Sequence, residues 1–289
     1  MITKLTSKVP ESAGEITAEK YIMRAWPLLG KNRAEGLFKA RQVKANGARI
    51  ERTAILKAGD ELCAYLEGEY DFSLPILFRE NGIIAVNKPS GLPVDIDGDG
   101  IGEDTVLSRL KKTSPDARLV HRLDTDTSGV LLAAEDEKTE AYLTGLFKNH
   151  LLVKQYSCTV IGAMPRKHET LKGFLIKDSD KATVRIVPAK IKNALEIETI
   201  YTVKTTKTLN GYTLSNLLVE IPTGRTHQIR AQLAHIGHPL LGDDKYGDRR
   251  ANKALNATKT NLTCESITVK NTEEAGAYAG YAFKLKCQK

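Results

Sequence analysis

Three asparagine-glycine pairs, Asn46-Gly47, Asn81-Gly82 and Asn210-Gly211, each lie between short apolar or alternating runs. This is the strongest short-range signal for a two-residue hairpin, because both turn residues must take positive φ, which Asn and Gly tolerate best. The pairs predict antiparallel strands over residues 43–45 and 48–50, 76–78 and 83–86, and 197–209 and 212–221. Further strands are expected at 153–161 and 182–187. Residues 138–147 read as a helix, with Ala141, Leu143, Leu146 and Phe147 at roughly helical spacing. Consecutive strands with few helices between them predict an α+β fold on a mixed, largely antiparallel sheet rather than a βαβ array.

Residues 1–70 are expected to form a small domain of two helices and three short strands, with residues 71–289 forming a larger one. Tyr21, Ala25 and Leu28 or Leu29 recur at helical spacing. A second helix is expected from Asn32, with Glu35 as its capping-box partner and Leu37-Phe38 on its buried side. Ala58-Gly59-Asp60 turns into an apolar strand over 62–66. Lys31, Arg33, Lys39, Arg41 and Lys44 gather on the second helix and the strand after it; by themselves they describe a solvated face. Residues 67–71 read as a polar hinge and residues 248–261 as a flexible surface excursion.

The net charge of +8, from 43 basic against 35 acidic residues, favours a polyanionic partner or simply solubility. The four cysteines are too far apart in sequence to form a CxxC pair and read as small hydrophobes. Residues 1–18 lack the apolar run of a signal peptide, and no apolar run approaches bilayer length. A cytoplasmic, monomeric protein without membrane contact is expected. Asp95-Ile-Asp97-Gly-Asp99 starts like a calcium loop, but Val106 stands where that loop needs a bidentate glutamate. His227, His235 and His238 lack completing ligands, so no metal is expected. No phosphate-binding glycine loop follows a strand, so no nucleotide cofactor is expected either.

Three stretches carry chemistry. The run His121-Arg-Leu-Asp-Thr-Asp-Thr-Ser-Gly-Val-Leu131 places Asp124 on a tight loop between apolar segments. A turn accounts for Asp126, Ser128 and Gly129 but needs neither His121 nor Arg122. Thr223-Gly-Arg-Thr-His-Gln-Ile-Arg230 leaves a strand and is expected to carry Arg225, His227 and Gln228 in the first turn of a helix. Arg230 then lies so near the apolar face that it needs a carboxylate partner. Lys154-Gln-Tyr156 lies on a strand, where a tyrosine ordinarily packs.

Together these stretches resemble the RluA-type RNA pseudouridine synthases. The matches are residues 86–94 (Val-Asn-Lys-Pro-Ser-Gly-Leu-Pro-Val), 119–129, 154–156, 223–230 and 237–247 (Gly-His-Pro-Leu-Leu-Gly-Asp-Asp-Lys-Tyr-Gly). Residues 15–67 resemble the S4 RNA-binding module, through Asn-Arg-Ala-Glu-Gly-Leu-Phe38, Gln-Val-Lys-Ala-Asn-Gly47 and Lys-Ala-Gly-Asp-Glu-Leu62. The resemblance implies a cofactor-independent isomerisation of uridine in structured RNA, with ribosomal RNA favoured by the S4-like module. It implies that Asp124 is the essential aspartate, acting either as nucleophile at C1′ or as base on a glycal route. Arg230 would be its ionic partner, and Tyr156 would pack on the target base and take the C5 proton. Arg122 would fill the stack left by the flipped uridine. Leu240 or Leu241 would wall the base pocket, and His121, Arg225, His227 and Gln228 would meet RNA. The basic helix would follow the RNA backbone. Where many relatives carry leucine-histidine-alanine, this chain has Asn261-Leu-Thr-Cys-Glu-Ser-Ile267, which puts local packing or substrate contact there in question. The rival readings are a catalytically silent RNA-binding or ribosome-assembly protein and a tRNA-directed enzyme of the same chemistry.

Overall fold

All three asparagine-glycine pairs form two-residue hairpin turns. The asparagines have φ of 49° or 50° and the glycines 78° to 81°, the combination that matches the twist of the flanking strands. The structure, a computed structural model, describes residues 1–96, 104–178 and 183–285. Asp97 and Asp99 of the calcium-like run lie outside these. The chain forms two units: Met1–Leu74 with Gly91–Ala117, and Pro75–Ser90 with Arg118–Lys289.

The first unit contains β1 (Ile2–Lys8), β2 (Ile16–Thr17), α1 (Ala18–Ala25), α2 (Gly30–Lys39), β3 (Val43–Ala45), β4 (Ala48–Arg49), β5 (Ile55–Leu56) and β6 (Glu61–Glu67). Four strands pair in the order β1-β6-β3-β4, and β2 pairs with β5. Tyr21, Ile22 and Ala25 of α1 meet Ala34, Leu37 and Phe38 of α2 over Val43, Leu62, Ala64 and Leu66 in one apolar core. Thr17 caps α1, and Pro27 opens the short 3-10 turn that follows its end. The second helix starts at Gly30, two residues before the expected start, with no side-chain cap. Glu35 does not close a capping box; it pairs with Lys31 one turn back at 3.8 Å. Strand β1 was not expected, because its buried positions include only one large apolar residue, Leu5, beside Ser7.

The stretch 91–117, expected in the larger domain, packs with the first unit. Its helix α3 (Val106–Lys111) is opened by a reciprocal cap between Thr105 and Ser108. Arg109, 5% exposed, donates to both oxygens of buried Asp104 (2.7 and 2.8 Å) and to the carbonyls of Ser73 (2.6 Å) and Asp71 (3.0 Å). The Tyr70 hydroxyl donates to Asp104 as well. The expected hinge at 67–71 is therefore fastened at its end by a buried ion pair.

The second unit contains β7 (Ile76–Glu80), β8 (Ile83–Lys88), β9 (Arg118–Leu119), β10 (Ser128–Ala134), α4 (Glu137–Lys148), β11 (Leu152–Ile161), β12 (His168–Asp178), β13 (Thr183–Val187), β14 (Leu195–Leu209), β15 (Tyr212–Glu220), α5 (Gln228–His235), α6 (Arg249–Ala254), β16 (Leu262–Val269) and β17 (Ala282–Lys284). Its sheet runs β13-β12-β14-β15-β11-β16-β10-β8-β7, with β9 on β10 and β17 on β16. Among the described residues only β10 and β16 pair in parallel. The mixed, largely antiparallel α+β architecture matches the expectation. Residues 83–86 and 130–134 are buried throughout, so both faces of β8 and β10 are covered. Helix α5 packs on the wing formed by β12, β13 and β14 through Ala231, Leu175, Val184 and Ile197. Residues 248–261 are not a loose excursion. Asp248 caps α6, Ala251 is buried, and the Asn252 amide bonds to Gly242 N–H (2.7 Å) and the Asp243 carbonyl (3.1 Å). Among the described residues no helix is long and apolar enough to cross a membrane.

Arg109→Ala would leave the Asp104 carboxylate buried without its cation. We expect a loss of about 3–5 kcal/mol in unfolding free energy, read from denaturant melts; a loss below about 1 kcal/mol would refute the clasp.

Candidate active site

Asp124 stands on the loop between β9 and β10, which is fixed from below and behind. Leu123 and Thr127 are buried anchors on either side of it. The Thr127 N–H donates to the Asp124 carbonyl (3.0 Å), and the Ser90 hydroxyl donates to the Asp126 carbonyl (2.9 Å). The fully buried Lys88 ammonium donates to the Thr125 carbonyl at 2.8 Å. Burial pulls its pKa down to about 7, against the opposing pull of Asp126 and Asp124. Gly129 has φ 108°, and a Cβ there would lie 2.1 Å from the Cys264 carbonyl oxygen. Only glycine lets β10 lie against β16 at this point.

Arg230 enters from α5, and its side chain is 2% exposed. Its Nη1 lies 3.7 Å from Asp124 Oδ2. Its strongest bonds go elsewhere: Nε to Asp243 Oδ2 (2.7 Å), Nη2 to Asp243 Oδ1 (2.9 Å) and Nη2 to Asp244 Oδ1 (3.0 Å). The expectation that a carboxylate meets this arginine holds, and the two-point partner is Asp243. Burial works against the charge, but Asp243 and Asp124 hold the guanidinium pKa above its usual value. Asp243 also accepts from the Lys245 and Tyr246 N–H groups, both at 2.9 Å. Burial raises its pKa, and these bonds together with Arg230 outweigh that and lower it. The Tyr246 ring lies 5.5 Å below the guanidinium.

Helix α5 begins at Gln228, so Arg225 and His227 precede it rather than occupy its first turn. His227 is its cap residue with a left-handed backbone, φ 51°. The Tyr246 hydroxyl accepts from the Val184 N–H (2.7 Å) and lies 2.9 Å from His227 Nδ1. The other ring nitrogen, Nε2, lies 3.9 Å from Asp124 Oδ2. Burial lowers the His227 pKa, against the opposing pull of the Asp124 carboxylate.

Tyr156 lies on β11, is 6% exposed and pairs with Cys264 of β16. Burial first, then the Cys264 thiol and the nearby Asp124 charge, push its pKa well above 10, so it is a neutral phenol at ordinary pH.

Other expected contacts fall differently. His121 turns inward: its Nε2 accepts from the Leu132 N–H (2.9 Å), and its ring stacks on Phe147 at 4.5 Å. Gln228 is 2% exposed and clasps Thr223, Arg225 N–H, the Glu198 carbonyl and Thr199. Both side chains are engaged within the protein. Polar residues beside a catalytic loop serve its backbone as readily as a substrate, and only packing tells the two apart. Arg122 and Arg225 are exposed; Leu241 is half-buried beside a fully buried Leu240. In the first unit Lys31, Arg33, Lys39 and Arg41 are exposed, and the Lys44 ammonium lies 5.5 Å from the Tyr65 ring. Sequence reasoning missed Lys88, Asp243 and Tyr246, although the last two stand in the 237–247 match. A cavity of about 250 Å³ lined by His150, Leu152, Val153, Glu220, Ile221, Pro222, Thr223 and Lys270 contains none of Asp124, Tyr156 and Arg230.

The RNA pseudouridylate synthase family model matches residues 82–235. Ribosomal large subunit pseudouridine synthase C of Salmonella typhimurium is 33% identical over 240 residues, covering 76% of this chain and 73% of that protein. The protein of the same name in Rickettsia felis is 30% identical over 254 residues, covering 80% and 81%. Human RNA Pseudouridylate Synthase Domain Containing 1 shares the fold, with a TM-score of 0.61 at 21% identity over 77% of this chain and 94% of that one.

Burial pushes the His121 pKa down to about 3, against 6.5 for a free imidazole. The unfolded chain therefore binds a proton that the folded chain refuses between these values. The stability from this ring is complete above about pH 6.5 and falls as pH drops toward 3. An imidazole NMR titration should show no transition between pH 8 and about 4; a midpoint near 6.5 would contradict the anchor.

Proposed function

The chain belongs to the RNA pseudouridylate synthase family, as an RluA-type enzyme that isomerises uridine in RNA, and we propose that Asp124 carries the reaction on large-subunit ribosomal RNA. The observation that carries this reading is the Asp124 carboxylate, 3.7 Å from the Arg230 guanidinium and close enough to Tyr156 to raise its pKa. The reaction breaks C1′–N1, forms C1′–C5, moves a proton off C5 and leaves one on N1. Asp124 either attacks C1′ or removes the 2′ proton; the Arg230 cation keeps its oxygen aimed in both cases. Tyr156 offers a flat, dry ring to the turned base. Its phenol must lose its own proton before the oxygen can hold the one from C5; the Asp124 carboxylate would accept it once it has left C1′ or returned the 2′ proton, and would then pass it to N1.

The ribosomal substrate is supported by the names of the relatives and by the S4-like helix, whose exposed Lys31, Arg33, Lys39 and Arg41 suit an RNA backbone. Exposed Arg122, two residues from Asp124, is placed to enter the stack when the uridine leaves it. Leu241, the half-exposed member of its pair, is the leucine we assign to the base.

Asp124→Asn should bind large-subunit RNA as wild type does and release no tritium from 5-tritiated uridine; release from that variant would overturn the assignment. Tyr156→Phe should lower kcat by about a hundredfold or more with a small change in KM. A variant with wild-type kcat would reduce the tyrosine to packing.

A further inference from the structure

Lys154 shares the inward face of β11 with Tyr156, two residues on. It is half-buried, and among the described residues its ammonium makes no hydrogen bond or ion pair. Buried lysines are ordinarily paired, so this one stands out. Its surroundings carry the same sign. Burial lowers its pKa and so does Arg225; the opposing influence is the Cys264 thiol. That thiol is pushed up to about 12 by its own burial and is uncharged at neutral pH. After burial, Lys154 is the next cause that depresses the pKa of His121. The Arg225 guanidinium, on the turn facing Lys154, is exposed and likewise makes no ion pair among the described residues. Between these side chains lies Gly224. A Cβ at this glycine would sit 2.7 Å from Lys154 Nζ, so a side chain there would push the ammonium from its present place.

Two cations facing each other without a counter-charge repel. An anion between them relieves that repulsion and replaces the water Lys154 has lost. We propose that Lys154 and Arg225, across Gly224, clamp a phosphodiester group of the RNA strand whose uridine enters beside Tyr156. The inference rests on the RNA-isomerising reading and adds a backbone site to it. Phosphate contacts of this kind fix register rather than sequence. Here the contact sets how deep the nucleotide can reach toward Asp124, because Lys154 and Tyr156 are held on one strand.

The test compares wild type with Lys154→Met, Lys154→Arg and Gly224→Ala, all checked for wild-type melting. Affinity for transcribed large-subunit RNA is measured against salt, and tritium release gives kcat and KM. Losing one phosphate contact should shrink the slope of log affinity against log salt by about 0.7 and raise KM by about tenfold, with kcat little changed. Lys154→Met and Gly224→Ala should both show this, the second because its methyl group expels the ammonium; Lys154→Arg should keep the slope. Wild-type slopes in both Lys154→Met and Gly224→Ala would overturn the clamp. Because the slope is read from binding alone, a clamp without isomerisation and isomerisation without a clamp give different results.

Discussion

The Arg230 guanidinium is a charge that the fold takes almost wholly out of water, and the site is arranged around making that tolerable. Removing one partner from a buried pair of this kind costs about 3–5 kcal/mol, because the remaining charge keeps its desolvation penalty. Asp243 meets the guanidinium at two points, Asp244 at one, and the Tyr246 ring covers part of its face. Only Nη1 is left to look toward Asp124. An arginine bound to Asp124 alone could swing with it. With its other edge locked on Asp243, it becomes a fixed post against which the Asp124 carboxylate is positioned.

That lock explains sequence features distant from the chemistry. Asp243 is itself held by the Lys245 and Tyr246 N–H groups, and its carbonyl by Asn252. The turn admits no side chain at Gly242, where a Cβ would lie 1.9 Å from the Lys259 carbonyl oxygen. The 237–247 match and the polar segment after it are thus one scaffold for the guanidinium. On the opposite side, Lys88 and Ser90 hold the Asp124 loop by its carbonyls. One half of the ion pair is thus placed by the Asp243 and Asp244 carboxylates and the other by backbone contacts to its loop.

What could be read from the sequence divides along the range of the interactions. The hairpins were legible because an Asn-Gly turn is decided by two residues and their own φ. Helix α4 and the strands with alternating apolar residues were legible for the same local reason. Strand β1 was hidden because its inward residues include a serine, and β16 because its pairing with β10 and β11 is decided by segments over a hundred residues away. Asp124, Tyr156 and Arg230 stood out through their motif, whereas the Asp243 bond, across a thirteen-residue turn, could not be separated from a solvated acidic pair. His121 and Gln228 show a second limit of local reading: their motif did not reveal that their hydrogen bonds close on the protein. Residues 248–261 looked loose because their apolar content is small; one buried alanine and one amide are enough to seat them.

The overall charge of +8 is a poor description of the site itself. Asp124, Asp126, Asp243 and Asp244 surround one arginine and one lysine whose pKa burial has brought to about 7. A centre so rich in carboxylates repels phosphate. Burial raises the pKa of Asp126, as does its neighbour Asp244, against the pull of Arg230, a sign of how far like charge accumulates there. The cations proposed to meet a backbone, Arg122, Arg225 and Lys154, lie outside this cluster of carboxylates. The charge pattern therefore sorts the parts of a nucleotide. Its phosphates are stopped at the edge, and the neutral base and sugar are the parts that can continue inward. In the proposed reaction this is the required order, because C1′ develops positive character as its bond to N1 breaks, and a carboxylate-rich centre stabilises that charge as it forms.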